Sequence, residues 1–180
     1  NLIGRCRVSD SGCNSADEFD GGAAIITGVE LTSSWQADIG SLTMPVSFVY
    51  TYTDATFDSS FESDFSQWGV VVEGDELPYT PRHQANMGVG LESDTWSLKL
   101  DGKFTGRMRE KPDQGSYQEG YFTRSYMLWN LAARYTPSDQ WSYLLAAENL
   151  SDKQVIVSRR PFGARPNQPF SVKAGVTYSF

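Results

Sequence analysis

The sequence predicts an all-β protein: about seven antiparallel meander strands forming part of a transmembrane β-barrel. Three observations carry this. Apolar and polar residues alternate with period two in segment after segment, the mark of strands with unlike faces. Connections alternate between short and long, as when one barrel rim carries tight turns and the other carries loops. The chain is rich in aromatics, with 10 Phe, 9 Tyr and 5 Trp. Many fall at segment ends, where amphipathic rings sit in the two water–lipid interfaces.

Taken in order, residues 1–20 are polar and hold both cysteines. Cys6 and Cys13 lie close together with no histidine beside them. That makes a poor zinc site, and the spacing fits a small disulfide loop of an oxidising compartment; two free thiols are the alternative. The first predicted strand covers 27–36, with Val29, Leu31 and Trp35 opposite Gly28, Glu30, Thr32 and Ser34. After the short connection "ADIGSL", Met44, Val46, Phe48, Tyr50 and Tyr52 line one side of the second. Ala85, Met87, Val89 and Leu91 mark the third, and Trp96, Leu98, Leu100 and Phe104 the fourth. Met127, Trp129, Leu131, Ala133 and Tyr135 mark the fifth, and Trp141, Tyr143, Leu145 and Ala147 the sixth. The last, "SVKAGVTYSF", ends on Phe180. The long connections are 57–81, 108–120 and 151–169.

No run approaches the ~20 apolar residues of a membrane-spanning helix, which excludes helical spans only. Lys and Arg are absent from Val8 through Pro81, where 13 Asp and Glu fall; residues 82–180 carry 13 Lys and Arg against 9 acids, a net of +4. The anionic first part argues against nucleic acid as a partner. The chain opens "NLIGRCRVSD", without a starting Met or a signal peptide, as expected of a processed or partial chain. Seven strands do not close an even-stranded bacterial barrel, and each unpaired backbone group in lipid costs several kcal/mol. Residues 1–180 are therefore expected to be part of a larger barrel, or one chain of an assembly.

The stretches "TGVELTSSW", "LPYTPRHQANMGVGLE", "AENLSDKQVIV" and "SVKAGVTYSF", in this order, resemble the C-terminal barrel region of TonB-dependent outer-membrane receptors. "SRRPFGARPNQPF" resembles receptors of the ferric-citrate type most. The resemblance implies a 22-stranded barrel of the bacterial outer membrane, filled by an N-terminal plug that this sequence lacks. It implies active uptake of a scarce ligand such as a ferric siderophore or ferric citrate, driven through the TonB complex, with no enzymatic activity and no cofactor. It also implies that Val176, Tyr178 and Phe180 form the signal read by the barrel-assembly machinery; Phe180 can equally anchor in the lipid interface.

Arginines are the candidate ligand-binding residues. Arg107 and Arg109 enter one long loop, and Arg159, Arg160 and Arg165 occupy another. The guanidinium fork suits an anionic ferric chelate and equally suits lipopolysaccharide phosphates. Surface ion pairing is the alternative. The acidic loop from Asp54 to Glu76 matches no calcium-loop spacing and reads as solvated; Phe57, Phe61, Phe65 and Trp68 within it are expected to pack together, with folding over a ligand as the alternative. His83, the sole histidine, reads as an interface residue. Glu30, Glu92, Lys99, Asp101, Lys103, Arg134 and Glu148 fall on the polar faces, where they would meet a plug in a receptor or line the channel of a passive porin. A soluble β-sandwich is a third reading.

Overall fold

The computed structural model describes residues 3–5, 18–20, 22–63, 68–159 and 163–180. All regular elements among the described residues are strands. Seven long ones form one antiparallel sheet: β3 (Ala24–Ile39), β4 (Leu42–Phe57), β7 (His83–Glu92), β8 (Trp96–Thr105), β11 (Tyr126–Ser138), β12 (Trp141–Glu148) and β15 (Ser171–Tyr178). Each pairs with its sequence neighbours, so β3 and β15 are the two edges. This is the seven-strand meander the periodicity predicts.

The register brings the apolar columns into rows. One row crosses the whole sheet: Trp35, Val46, Val89, Leu100, Leu131, Ala147 and Val172 are successive partners. The row at the next parity runs Ser34, Ser47, Gly88, Asp101 and Asn130. Because the side-chain period is two, a one-residue slip anywhere would mix these rows, so one apolar face pins the register. On β4 the apolar column from Leu42 to Tyr52 spans about ten steps; at ~3.4 Å per step and a ~40° tilt it is roughly 26 Å tall, the height of a lipid-facing band. Large apolar side chains such as Val29, Leu31, Val172 and Val176 stand exposed on this face.

Aromatic rings bound the band. Below, near the short turns, Trp141 stacks on Tyr143 at 6.1 Å and lies 4.7 Å from Tyr178, which meets Phe180 at 5.3 Å. Above, Tyr50 and Tyr52 flank His83, whose Nδ1 is hydrogen-bonded to the Tyr50 hydroxyl at 2.7 Å. His83 is thus an interface residue, as its position at a strand start suggests. The rings belong there because an apolar body and a polar tip suit the boundary of lipid and water.

Two details depart from the sequence reading. The first hairpin turn is only Gly40–Ser41, with Gly40 at φ +63°, so β3 and β4 reach 16 residues each. Ladder pairing carries Ala37, Asp38 and Ile39 into the strand despite their loop-like composition. The long loops also hold ribbons: β5 (Phe61–Ser63) with β6 (Gly69–Val71), β9 (Met108–Arg109) with β10 (Phe122–Thr123), and β13 (Ile156–Ser158) with β14 (Arg165–Pro166). Near the start, β1 (Ile3–Arg5) pairs with β2 (Glu18–Asp20). These pieces of two or three residues are too short to show a period.

Burial is concentrated at the loop rim. Ala55, Phe57, Val71 and Met108 are buried there, while the sheet's two faces lie open. Phe57 packs edge-on against Phe61 and Trp68, each at 5.6 Å. The aromatics of the acidic loop therefore pack together, as expected; Phe65 lies outside the described residues.

Candidate functional site: the loop rim and the charged wall

All three long loops converge on one rim. Glu76 leaves the acidic loop and forms isolated bridges with Thr56, at the top of β4, and with Asp113 of the next loop. Its amide donates to the Asp113 carbonyl at 3.0 Å, and the Leu77 amide donates to Ala55 at 2.9 Å. The wall above the sheet is thus continued by loop backbone.

Ion pairs lock this extension. The Arg109 side chain, 2% exposed, sits 3.4 Å from Glu76 and 3.6 Å from Asp113. Its Nη2 donates to the Gly115 carbonyl at 2.6 Å. Arg82 reaches Asp54 at 3.1 Å and Glu76 at 3.4 Å. Tyr117 receives the guanidinium groups of both Arg107 and Arg109 on its ring, 4.2 and 4.3 Å from the centroid. Its hydroxyl donates to Glu76 at 3.2 Å. Burial raises the Tyr117 pKa above its ordinary value; Glu76 raises it further by charge and hydrogen bond, and the two arginines oppose them.

A second lock faces the other way. Glu110 is fully buried, and its Oε1 pairs with Arg159 at 2.8 Å. Arg159 also donates to the Phe122 carbonyl at 2.8 Å. The Oε2 of Glu110 and the hydroxyl of Thr123 have no partner among the described residues. Strand parity separates the two locks: Arg109 is opposite Phe122, while Thr123 is opposite Met108. Arg109 and Phe122 therefore share one face of the ribbon, and Glu110 with its arginine takes the other.

The candidate arginines among the described residues accordingly do not form one cluster. Arg107 and Arg109 meet on Tyr117. Arg159 lies behind the ribbon on Glu110. Arg165 is in β14, opposite Ser158. Arg160 lies outside the described residues, as do Cys6 and Cys13. Glu76, Glu110 and Tyr117 organise these arginines. In the sequence Glu110 and Tyr117 are signalled only by lying in the same loop as Arg107 and Arg109, and Glu76 only as the end of the acidic loop.

Below the rim the polar wall is charged. Lys99 pairs with Asp101 at 3.0 Å. Lys173 bonds both Glu148 oxygens, at 2.8 and 3.0 Å, and Gln168 and Ser171 complete that carboxylate's shell. Asn149 ties the strand end to its loop: its amide group donates to the Lys153 and Gln168 carbonyls, and its Oδ1 accepts from the Lys153 amide. With φ +51°, Asn149 takes a left-handed conformation that asparagine tolerates better than most residues.

A meander with one apolar and one charged face, bounded by aromatic rings and looped at one rim, defines an integral β-barrel protein of the bacterial outer membrane. The chain belongs to the family described as TonB dependent receptor-like, beta-barrel, whose model matches residues 2–150. No curated protein matches it in sequence. Its fold is similar to the siderophore receptor PiuA from Acinetobacter baumannii, with TM-score 0.64 and 17% identity over 91% of this chain and 22% of that one. It is also similar to the copper transporter OprC, with TM-score 0.61 and 17% identity over 92% of this chain and 24% of that one. For the ferric enterobactin receptor PfeA the TM-score is 0.59 and the identity 18%, over 87% and 23%. The chain thus spans less than a quarter of PiuA and PfeA and 24% of OprC.

Proposed function

We propose that these 180 residues are the C-terminal part of the barrel of a receptor that imports a scarce ligand through the outer membrane with energy drawn through TonB. The chain contributes seven strands of a larger barrel, a 22-stranded one on the family pattern, and β3 and β15 pair with the remaining strands. The charged wall faces an N-terminal plug encoded elsewhere in the protein. The protein works as a receptor and not as an enzyme. Val176, Tyr178 and Phe180 are the strand that the assembly machinery reads. An edge strand with a terminal aromatic can be recognised by strand pairing.

The ligand is proposed to be an anionic ferric chelate, a siderophore or ferric citrate. The observation that supports this is the family membership joined to the position of Arg159, on the side of the β9–β10 ribbon away from Arg109. The names of the structural neighbours include siderophore and enterobactin receptors, and also a copper transporter. The test is uptake of radioactive iron, supplied as a panel of ferric siderophores and ferric citrate, by cells carrying the full-length gene with and without TonB. Uptake of one chelate that vanishes without TonB is expected. Steady ion conductance in planar bilayers without any energy source, and no TonB-dependent uptake, would refute it in favour of a passive pore.

A further inference from the structure

We propose that the pocket bounded by Arg82, His83, Arg107, Tyr117 and Phe122 faces outward and binds a phosphate of the phosphorylated glycolipid, lipopolysaccharide, that surrounds the barrel. The inference rests on the membrane-barrel reading above and extends it to a site on the barrel's outside.

Strand parity gives the direction. β4 pairs with β3 without a register shift from Leu42 to Phe57, so Thr56 lies on the same face as Tyr50 and Tyr52. That is the apolar, lipid-facing side. Glu76 is bridged directly opposite Thr56, and Asp113 opposite Glu76, so both share that face. Arg82, Arg109 and Tyr117 are bound to Glu76, and Phe122 is opposite Arg109. The cavity lined by Glu76, Arg82, Arg107, Tyr117 and Phe122 measures about 760 Å³ and opens beside His83, a member of the upper aromatic girdle.

Depth identifies the occupant. Thr56 is four residues beyond Tyr52 on β4. At ~3.4 Å per residue and a ~40° tilt, the pocket stands roughly 10 Å above the girdle. Headgroup layers add about 5–8 Å on each side of the hydrocarbon core, and sugar-borne phosphates lie in and just above that layer.

Charge and donor geometry fit. Arg107 is exposed, rests its plane on Tyr117 and makes no ion pair among the described residues. Its edge N–H groups are therefore free to take a phosphate in a fork. Arg82 is 43% exposed, whereas Glu76 is mostly shielded at 16%. Formally, Arg82, Arg107 and Arg109 balance Asp54, Glu76 and Asp113. A neutral frame gives little pull on a free anion in bulk water. It suits a phosphate already held at the surface by acyl chains, at a high effective concentration.

The experiment uses the full-length receptor in detergent, with native mass spectrometry counting bound bisphosphorylated lipid A against its dephosphorylated form. Wild type should retain the phosphorylated lipid. Dephosphorylation, or Arg107→Ala, should weaken binding roughly tenfold, the scale of one charge-assisted fork. Arg107→Lys should fall between, since it keeps the charge and loses the plane; it also serves if the alanine variant does not fold. Inorganic phosphate at about 10 mM should not displace the lipid. Equal binding by wild type and both folded variants, equal binding of dephosphorylated lipid, or displacement by inorganic phosphate would each overturn the proposal. Heat-modifiable gel migration of the wild type reports separately on the barrel reading; its absence would remove the depth argument as well.

Discussion

Arg159→Ala should release the β12–β15 loop from the β9–β10 ribbon. The substitution leaves Glu110, whose side chain is 0% exposed, as a buried carboxylate with no partner on either oxygen. Breaking a buried pair from one side costs about 3–5 kcal/mol. Arg159 is itself 34% exposed, so water screens part of the pair and the cost falls to roughly 2–4 kcal/mol. The loss is local, because the sheet's ladder does not depend on it. The reporting amide is that of Glu110, which donates to Tyr121 at 2.9 Å. Its hydrogen-exchange protection should drop by about 30- to 900-fold, while amides within β8 and β11 keep theirs. The double variant Glu110→Met with Arg159→Met removes both charges and should recover most of the protection, since an apolar pair of similar size replaces the ion pair. If the single and double variants exchange alike, the buried charge is not what holds the loop, and the reasoning fails.

Three further outcomes follow from the geometry. Phe180→Ala removes a fully exposed ring that touches Tyr178, and it should lower the amount of assembled, heat-modifiable barrel more than it changes ligand affinity; normal membrane levels would contradict the assembly role. Gly28→Ala would place a Cβ 2.5 Å from the Tyr52 carbonyl oxygen, a backbone atom fixed in the ladder, whereas at Gly175 the nearest neighbour is Leu144 Cβ at 3.9 Å. The first should lower the urea midpoint of unfolding and the second should leave the unfolding free energy within about 0.5 kcal/mol of wild type. Tyr117 has a raised folded pKa, so its contribution is whole below the unfolded value of 10.0 and is lost as pH climbs through the folded one. Proteolysis at Gly115 should be flat from neutral pH to about 9 and rise at higher pH, and Tyr117→Phe should abolish that alkaline rise.

Legibility followed periodicity. Every long strand is visible in the sequence because lipid on one side and water on the other impose alternation on each residue in turn. The parity of Trp35, Val46 and Val89 is enough to predict the row they share. Loop ribbons such as β9 and β10 carry two residues each, too few to display a face. Their arginines could be listed but not oriented. Arg107, Arg109 and Arg159 look alike as basic loop residues, yet one bridge between Glu76 and Thr56 and one pairing between Arg109 and Phe122 send them to opposite sides of the wall.

By itself the sequence determines that this protein is a membrane sheet, which of its faces meets lipid, and which rim carries the loops, because the solvent on each side writes itself into residues two apart. Only the tertiary structure decides which loop meets which and where each charge points. Glu110 finds Arg159 across 49 residues, and Glu76 finds Tyr117 across 41. Such pairings are set by the closure of three loops over one rim, which leaves no local pattern in the chain.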